Sequence, residues 1–548
     1  MSNTNQNEKY KERRNSRAQV ALLEDTTQIS GKQRAEALVV DGVRIARTVS
    51  TFCRIALLYK WSKVQARLAV MMESDKGEKD NDKETVSHRE KAHARGAQLA
   101  LELCRKNGGV FVKFGQHAAS LKGALPRQYI EALGTLQDRA QARPLAEVMA
   151  TLEEEIGAEA LRDLVAHVDE EAVGCASLAQ VHRAELRDGR IVALKVQHRD
   201  LLRVLRSDLH LVKYLDAAAA WLFANEGFSL AWAVREFEEN LTRELDFLEE
   251  AQNCERSAGY FARDPRLRGK VRVPGVHWEL TTPRLVCMDY IKGIPIAKVD
   301  ELKRAGVEPS RVASIVLDAF AAMIFEYGFV HCDPHPGNLL VCPESDSSKE
   351  LSIALLDHGL YRDLGSRFRR GNCQLWEAMI LQDQAALRTA CEDMGMPSLW
   401  DLMPFIFVNR TVDTRATLGD RARLTSAELQ EIKDRLGIAD LGLASVGSLA
   451  DKLPDDMVLV LKTMHLVKDL NDMLGGSNRN RFLVYAKAAV RGDDAGMAPY
   501  TLRWSLFQAR FYLNEARTRA WLDASGPSSQ AEPVQQSLSA VMSESFDP

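Results

Sequence analysis

The stretch from 331 to 359 restricts this chain more than any other. It reads His331-Cys332-Asp333-Pro334-His335-Pro336-Gly337-Asn338, an apolar run over 339–341, a polar loop, a second apolar run over 351–356, and then Asp357-His358-Gly359. A carboxylate, an amide five residues on and a second carboxylate before His-Gly, carried on two strand-like runs, is the arrangement of a kinase catalytic loop followed by its metal-binding hairpin. Phosphoryl transfer asks a protein for little covalent chemistry, but it needs Mg and the nucleophile held in place and the developing charge neutralised. On that reading Asp333 orients or deprotonates the attacking hydroxyl or water, Asn338 holds one Mg ion, and Asp357 bridges Mg to the phosphates. Two other readings use the same residues. Asp, Asn, Pro and Gly are what any surface turn selects, and His331, Asp333, His335, Asp357 and His358 resemble the ligands of a two-metal hydrolase. A lysine on a distant strand separates these, because only the kinase needs one.

Such a lysine exists upstream. Gly174-Cys175-Ala176-Ser177 is followed by a strand-like run over 178–186, an Asp188-Gly189 turn, and Ile191-Val192-Ala193-Leu194-Lys195-Val196. Asp-Gly between two such runs is a hairpin signal. In the second strand Ile191, Ala193 and Lys195 share one face, and Val192, Leu194 and Val196 the other. A lysine on the same face as Ile191 and Ala193 needs a partner, and phosphate supplies one. The small residues at 174–177 stand where a kinase's glycine-rich loop covers the nucleotide, offering backbone N–H groups and the Ser177 hydroxyl.

Other parts of the chain read as helix. Residues 32–72 have helical periodicity, 73–90 is a mixed-charge run expected as a solvated linker or helix end, and 92–105 is amphipathic and closed by Gly108-Gly109. The helix restarting at Val110 places Lys113, Gln116 and Ser120 on one face, with Phe111, Phe114, Ala118 and Leu121 apolar. Pro126 and Pro144 open two more helices. Residues 229–261 read as one long helix with a Phe237, Leu241, Leu245 and Leu248 stripe. On a continuous helix Glu244 and Glu250 address different sides, so two lysines could each find a carboxylate.

In order along the chain, Lys113-x-Gly115-Gln116, the loop ending Ala176-Ser177 with Gln180-Val181-His182 behind it, the strand to Lys195, Glu244-x-Asp246, the 331–338 loop and Asp357-His358-Gly359 together resemble the UbiB family, the AarF-domain-containing atypical kinases. The resemblance implies a protein-kinase-like fold that binds ATP and Mg, in a membrane-lipid or quinone context in mitochondria, plastids or bacteria. It implies that Lys195 contacts the phosphates and pairs with Glu250, with Ala193 beside it in the nucleotide site. Lys113 and Gln116, from a helical extension, would lie across the active site and pair with Glu244 and Asp246. The family's loop usually reads Ala-Ala-Ala-Ser; Gly174-Cys175-Ala176-Ser177 departs from it and is closer to the mitochondrial branch.

Composition excludes little that this reading needs. A net charge of −4 over 548 residues gives no nucleic-acid signature. Nine scattered cysteines, with no Cys-x-x-Cys, favour a reducing compartment. The most apolar stretches, 38–61 and 214–234, carry internal charges and read as soluble helices, so no transmembrane span is expected. The N-terminus is basic but contains Glu8, Glu12, Glu24 and Asp25, whereas a transit peptide is poor in acids.

Towards the C-terminus, Ser310 is expected to cap a helix running to Tyr327 and ending at Gly328. Helix resumes at Ser366, soon after Asp357-His358-Gly359 and without an Ala-Pro-Glu sequence, which argues against a peptide-docking activation segment. Further helices are expected over 457–474 and 500–524. The last carries Trp504, Phe507 and Phe511 on one side and arginines on others, so it either lies on a membrane surface or, more commonly for such a helix, packs on its own domain.

The expected architecture is an α+β, protein-kinase-like fold. Its parts are a disordered N-terminus over 1–30, a helical extension over 31–165, a small β-containing N-lobe with a helical insert over 166–295, a helical C-lobe over 296–524, and a disordered tail over 525–548. The expected function is Mg-ATP turnover as an ATPase or as a phosphotransferase to a small or lipid-linked acceptor, with a lipid or quinone-pathway ligand, a peripheral membrane contact and mitochondrial residence implied by the resemblance. The alternatives are a nucleotide-gated scaffold without turnover and a conventional protein kinase.

Overall fold

The computed structural model describes residues 31–72, 78–120, 125–136, 142–175, 178–199, 201–222, 234, 237–238, 241, 245–343, 350–408, 453–493 and 499–525. The N-terminus over 1–30 and the tail from 526, both expected to be disordered, lie outside the described residues, as do Ala176, Ser177 and Glu244.

Helices α1 (Gly31–Met72) and α2 (Glu78–Asn107) open the described chain. Of the two readings of the mixed-charge run, linker or helix end, the second holds for most of it, which is the first turns of α2. From Glu78 to Arg95 it holds no Gly or Pro, and Glu and Lys are good helix formers. Gly108 and Gly109, at φ +65° and +50°, make the left-handed turn that separates α2 from α3 (Gly109–Ser120). Pro126 and Pro144 stand at the N-caps of α4 (Arg127–Gly134) and α5 (Leu145–Ile156), and α6 (Ala158–Leu164) follows. Apolar residues of α2, α3 and α4, among them Leu101, Phe111 and Leu133, bury one another in a core of their own.

The strands β1 (Val165–Cys175), β2 (Ala179–Leu186) and β3 (Ile191–Gln197) form an antiparallel meander. The Asp188-Gly189 hairpin forms as expected, with Glu185 opposite Ile191, Val181 opposite Lys195 and Gly189 at φ +88°. The faces of β3 divide as the alternation requires. Val192, Leu194 and Val196 pack under α5 and α6 against Val148, Leu152 and Leu161, while Ala193 joins a second cluster with Phe247, Val286 and Met288. After α7 (Leu201–Leu222) comes α8 (Phe247–Arg263), then the short β4 (Val271–Arg272) and β5 (Leu285–Asp289), which completes the N-lobe sheet in the order β1-β2-β3-β5.

The single helix expected over 229–261 is broken. Asp246, at φ −92° and ψ 88°, is the N-cap of α8, its carboxylate accepting from the N–H groups of Leu248 and Glu249. A short carboxylate at this point satisfies two donors that a new helix would otherwise leave open, which outweighs continuity of the apolar stripe.

The C-lobe begins with β6 (Ile294–Pro295), α9 (Val299–Arg304) and α10 (Pro309–Ala321). The N-cap of α10 is Glu308, not Ser310. Pro309 takes the first helical position, where its missing N–H costs nothing, and the Ser310 hydroxyl donates to Glu308 Oε1 at 2.6 Å. A π-helical turn carries the chain on to Gly328, at φ +64°, and there the helix ends as expected. Next come β7 (Phe329–His331), β8 (Leu339–Cys342), β9 (Ser352–Leu355) and β10 (Tyr361–Asp363). Strands β8 and β9 lie inside a sheet ordered β4-β9-β8-β6, and β10 pairs back on β7. Helices α11 (Ser366–Leu381), α12 (Gln384–Asp393), α13 (Met403–Val408), α14 (Asp455–Met473), α15 (Asn478–Gly492) and α16 (Tyr500–Ser525) surround a large core centred on Phe320, Phe325, Trp376 and Tyr485. Phe507 and Phe511 of α16 belong to that core, and Trp504 packs against it.

Candidate functional site

Three residues remote in the chain meet at the junction of the lobes. Lys195, on the face of β3 that looks away from the α5–α6 core, donates to Glu250 Oε1 at 2.7 Å and to Asp357 Oδ2 at 3.3 Å. Its ammonium also lies 5.3 Å from the centre of the Phe247 ring. Glu250 stands in the first turn of α8, its side chain only 4% exposed, whereas that of Asp357 is 43% exposed and so opens onto the cleft. Burial opposes the lysine's charge, but the two carboxylates outweigh it and hold the ammonium protonated. Burial likewise acts against Asp357, yet Lys195 and the Gly359 N–H, which donates to Oδ1 at 2.9 Å, bring its carboxyl well below the usual range. Glu250 is pushed up by burial and by the neighbouring Asp357 charge, with Lys195 pulling the other way. The Lys195 ammonium thus bridges the two carboxylates.

The catalytic-loop residues follow on β7 and the turn after it. Asp333 is partly exposed, and its carbonyl accepts from His335 N–H at 2.8 Å and from Asn338 Nδ2 at 3.3 Å. Asn338 thereby fixes the loop with its donor and keeps its side-chain oxygen as an acceptor. Its own carbonyl takes the Leu356 N–H at 3.0 Å, joining the loop to the strand that delivers Asp357.

His331 makes the closest link between the two carboxylate-bearing segments. Its Nε2 lies 2.8 Å from the Asp357 carbonyl, which can only accept, and its Nδ1 3.1 Å from the Asp333 N–H, which can only donate. The ring is therefore a neutral imidazole with its proton on Nε2, and burial lowers its pKa in the same sense. His358 is also buried, with Nε2 3.1 Å from the Leu355 carbonyl and Nδ1 2.9 Å from the Tyr361 hydroxyl, and burial lowers its pKa to about 3. His335 Nδ1 accepts from Gly337 N–H at 3.1 Å. The two-metal hydrolase reading fails on this geometry. Both nitrogens of His331 and of His358 are spent on protein groups, and among the described residues no three His, Cys, Asp or Glu side chains stand together as a metal-holding group. Residue types alone gave no hint of the clamp made by His331, because its partners are main-chain atoms.

The other predicted residues that the structure describes lie on β1, β3, α3 and at the start of α8. Gly174 and Cys175 end β1, where Cys175 pairs with Gln180; a Cβ on Gly174 would meet nothing within 4 Å, and burial raises the Cys175 thiol pKa. Ala193 lies two residues before Lys195 on the same face, opposite Met288. Lys113 and Gln116 are on α3, which packs against Leu178, just before β2. Val110, Leu178, Phe237 and Leu241 form one buried cluster, and the Phe114 and Phe237 rings meet edge-on at 5.2 Å. Gln116 Nε2 donates to the Leu136 carbonyl at 3.0 Å, so this side chain braces the extension. Gly115 is a packing residue, since a Cβ there would come 2.5 Å from Leu136 Cδ1 and 3.0 Å from Cys104 Sγ. Asp246 caps α8, and Glu244 is outside the described residues.

Asp357 and Asn338 offer hard oxygen donors of the kind that would hold Mg.

Comparison with known proteins agrees with the fold. Residues 135–391 match the model of the ABC1 atypical kinase-like domain. Mouse "AarF domain-containing protein kinase 1" is 33% identical over 409 residues, which are 74% of this chain and 76% of the mouse protein. The Drosophila melanogaster "AarF domain-containing kinase 1" is 29% identical over 489 residues, 86% of this chain and 90% of the fly protein. A Dictyostelium discoideum protein named "Probable serine/threonine-protein kinase abkD" is 30% identical over 400 residues, 73% of this chain and 56% of its own length. The chain belongs to the UbiB family, the AarF-domain-containing atypical kinases.

Proposed function

We propose that this protein binds Mg-ATP in the cleft between β3, α8 and β9 and turns it over, as an ATPase or as a phosphotransferase to a small or lipid-linked acceptor. The observation that carries this is the single ammonium of Lys195 shared by Glu250 at 2.7 Å and Asp357 at 3.3 Å, beside the Asp333–Asn338 loop. Lys195 contacts the phosphates, Glu250 holds the lysine, and Gly174 to Ser177 cover the nucleotide while Ala193 lines its site. Asn338 and Asp357 would hold Mg, which when bound neutralises phosphate charge. Asp333 orients the attacking hydroxyl or water and takes its proton. Lys113 and Gln116, with Glu244 and Asp246, form the regulatory extension. The segment after Asp357 gives little room for a peptide, because β10 returns to β7 and α11 starts at Ser366. That favours a small acceptor over a conventional protein-kinase substrate. Isotope-labelled ATP turnover tests the reading: it should be lost in Asp357→Asn with the fold retained, and unchanged turnover would exclude the role. Binding of Mg-ATP without turnover, with lipid or detergent present, would leave the nucleotide-gated scaffold.

The membrane contact of this reading lies away from α16, whose sequence allowed either a bilayer surface or, more commonly, packing on its own domain. The aromatic side of α16 is buried, whereas Leu57 and Trp61 of α1 and Tyr214 and Trp221 of α7 are exposed, Trp221 to 82%. Lys60 Nζ donates to the Leu222 carbonyl at 2.8 Å, so α1 and α7 present these residues side by side. Between Gly42 and Met72 there are six lysines and arginines and no acid. Of these, Arg54 and Lys63 are exposed, whereas Arg44, Arg47 and Lys60 bond to protein groups, so the surface is mainly apolar and aromatic with two exposed cations. That suits a bilayer surface, and no helix among the described residues is long and apolar enough to cross one. Flotation with anionic vesicles should fall in Trp61→Ser/Trp221→Ser. Equal flotation, or a concentration-dependent dimer lost in that variant, would refute the bilayer as its occupant. Mitochondrial residence, in lipid or quinone homeostasis, is part of the same reading and is checked by fractionation.

A further inference from the structure

In kinases generally the strand lysine, its helix glutamate and the metal-binding aspartate must be in place together, and phosphorylation of a long activation segment often brings this about through a new arginine–phosphate pair. Here the helix that carries Glu250 is bonded along one face to the segment directly after Asp357. Asn253 Nδ2 donates to the His358 carbonyl at 3.2 Å. The Arg256 guanidinium grips both oxygens of Asp363, one at 2.8 Å, and lies 3.8 Å from the centre of the Phe329 ring. The Tyr361 hydroxyl is 3.2 Å from Ser257 Oγ. One turn further, Tyr260 stacks on Tyr327 at 4.9 Å, and the Tyr327 hydroxyl donates to Asp264 at 2.8 Å. Residues 250, 253, 256, 257, 260 and 264 fall on one side at helical spacing. Their partner segment is itself fixed. Tyr361, Arg362 and Asp363 pair with His331, Val330 and Phe329, and Leu364 N–H donates to the Gly328 carbonyl at 2.8 Å.

We infer that Arg256 and Asp363 are positioning residues. Their bidentate pair, with the Asn253 and Tyr361 contacts, fastens the Glu250 helix to the Asp357 segment as a permanent part of the fold. Asp363 does what an added phosphate does elsewhere, so the Lys195–Glu250–Asp357 group is assembled without a phosphorylation step. This rests on the Mg-ATP reading for its consequence in turnover, but the seam can be read without nucleotide.

The experiment uses the full chain in four forms: native, Arg256→Asp, Asp363→Arg and the double reversal. Both side chains are substantially exposed, so the single variants should fold. In nucleotide-free protein, hydrogen exchange of α8 should rise in each single variant and return towards native in the double. Mg-ATP turnover should fall roughly ten- to hundredfold in the singles, as expected for a displaced catalytic group, and recover in the double. Tyr361→Phe should give a smaller change in the same direction. Unchanged exchange in the singles, or a double variant no better than either, overturns the seam. Native protein that neither binds nor hydrolyses Mg-ATP while exchange behaves as described sinks the nucleotide reading and leaves the seam standing.

Discussion

The cleft and the helical extension each carry a short polar motif, and they hold it by opposite means. In the cleft an ion pair and a histidine join parts that are far apart in the chain: Lys195 meets Glu250 and Asp357, and His331 ties the two carboxylate segments together. In the extension Gln116 bonds to Leu136 within the same helical group, and Gly115 is there because α3 must approach Leu136 and Cys104 closely. The cleft therefore exists only when both lobes are folded and docked, whereas the extension has a core of its own. Lesions in the first should remove chemistry, and lesions in the second should alter stability and control.

The sharpest break of this comparison is Lys195→Met. Turnover should fall about a thousandfold or more, and stability by about 3–5 kcal/mol, because Glu250 is left buried without its cation. Lys195→Met/Glu250→Gln should recover most of that stability and none of the turnover, measured by denaturant unfolding and labelled ATP. If the double variant is no more stable than the single, the two side chains do not form the coupled pair described.

Acid should act on the cleft before the extension. His358 has its folded pKa lowered to about 3 by burial, against roughly 6.5 when unfolded. The unfolded chain thus binds more protons between those values, so the neutral ring's contribution is intact above about pH 6.5 and is lost as pH falls towards 3. Between pH 6.5 and 5 this single group accounts for about 2 kcal/mol. Unfolding followed at both pH values by hydrogen exchange should show protection falling around 355–361 more than around 97–118. Equal loss in both regions would contradict the assignment.

How far the residues alone revealed this follows from where the deciding contacts lie. The lysine hairpin and the 331–359 stretch were legible because alternation, an Asp-Gly turn and the Asp333–Asn338 spacing are local signals, and the structure forms β2, β3, β8 and β9 from them. The break before α8 was not legible, since apolar spacing continues through it and only the capping of Leu248 and Glu249 by Asp246 ends one helix and starts another. His331 looked like a metal ligand because residue type says nothing about main-chain partners at positions 333 and 357. The aromatic stripe of α16 is core, the commoner of the two placements its sequence allowed.

Within the extension two substitutions separate packing from bonding. Gly115→Ala adds a methyl that must displace Leu136 or Cys104, so about 1–3 kcal/mol should be lost from the extension. Gln116→Ala removes one hydrogen bond and leaves the Leu136 carbonyl without that donor, a smaller loss of about 1 kcal/mol. Thermal unfolding and hydrogen exchange of 97–136 measure both. Because α3 packs at Leu178, next to the 174–177 loop proposed to cover the nucleotide, loosening it should raise the KM for ATP more than it lowers kcat. The opposite split, with kcat falling and KM fixed, would place Gln116 in the chemistry itself and erase the division between cleft and extension.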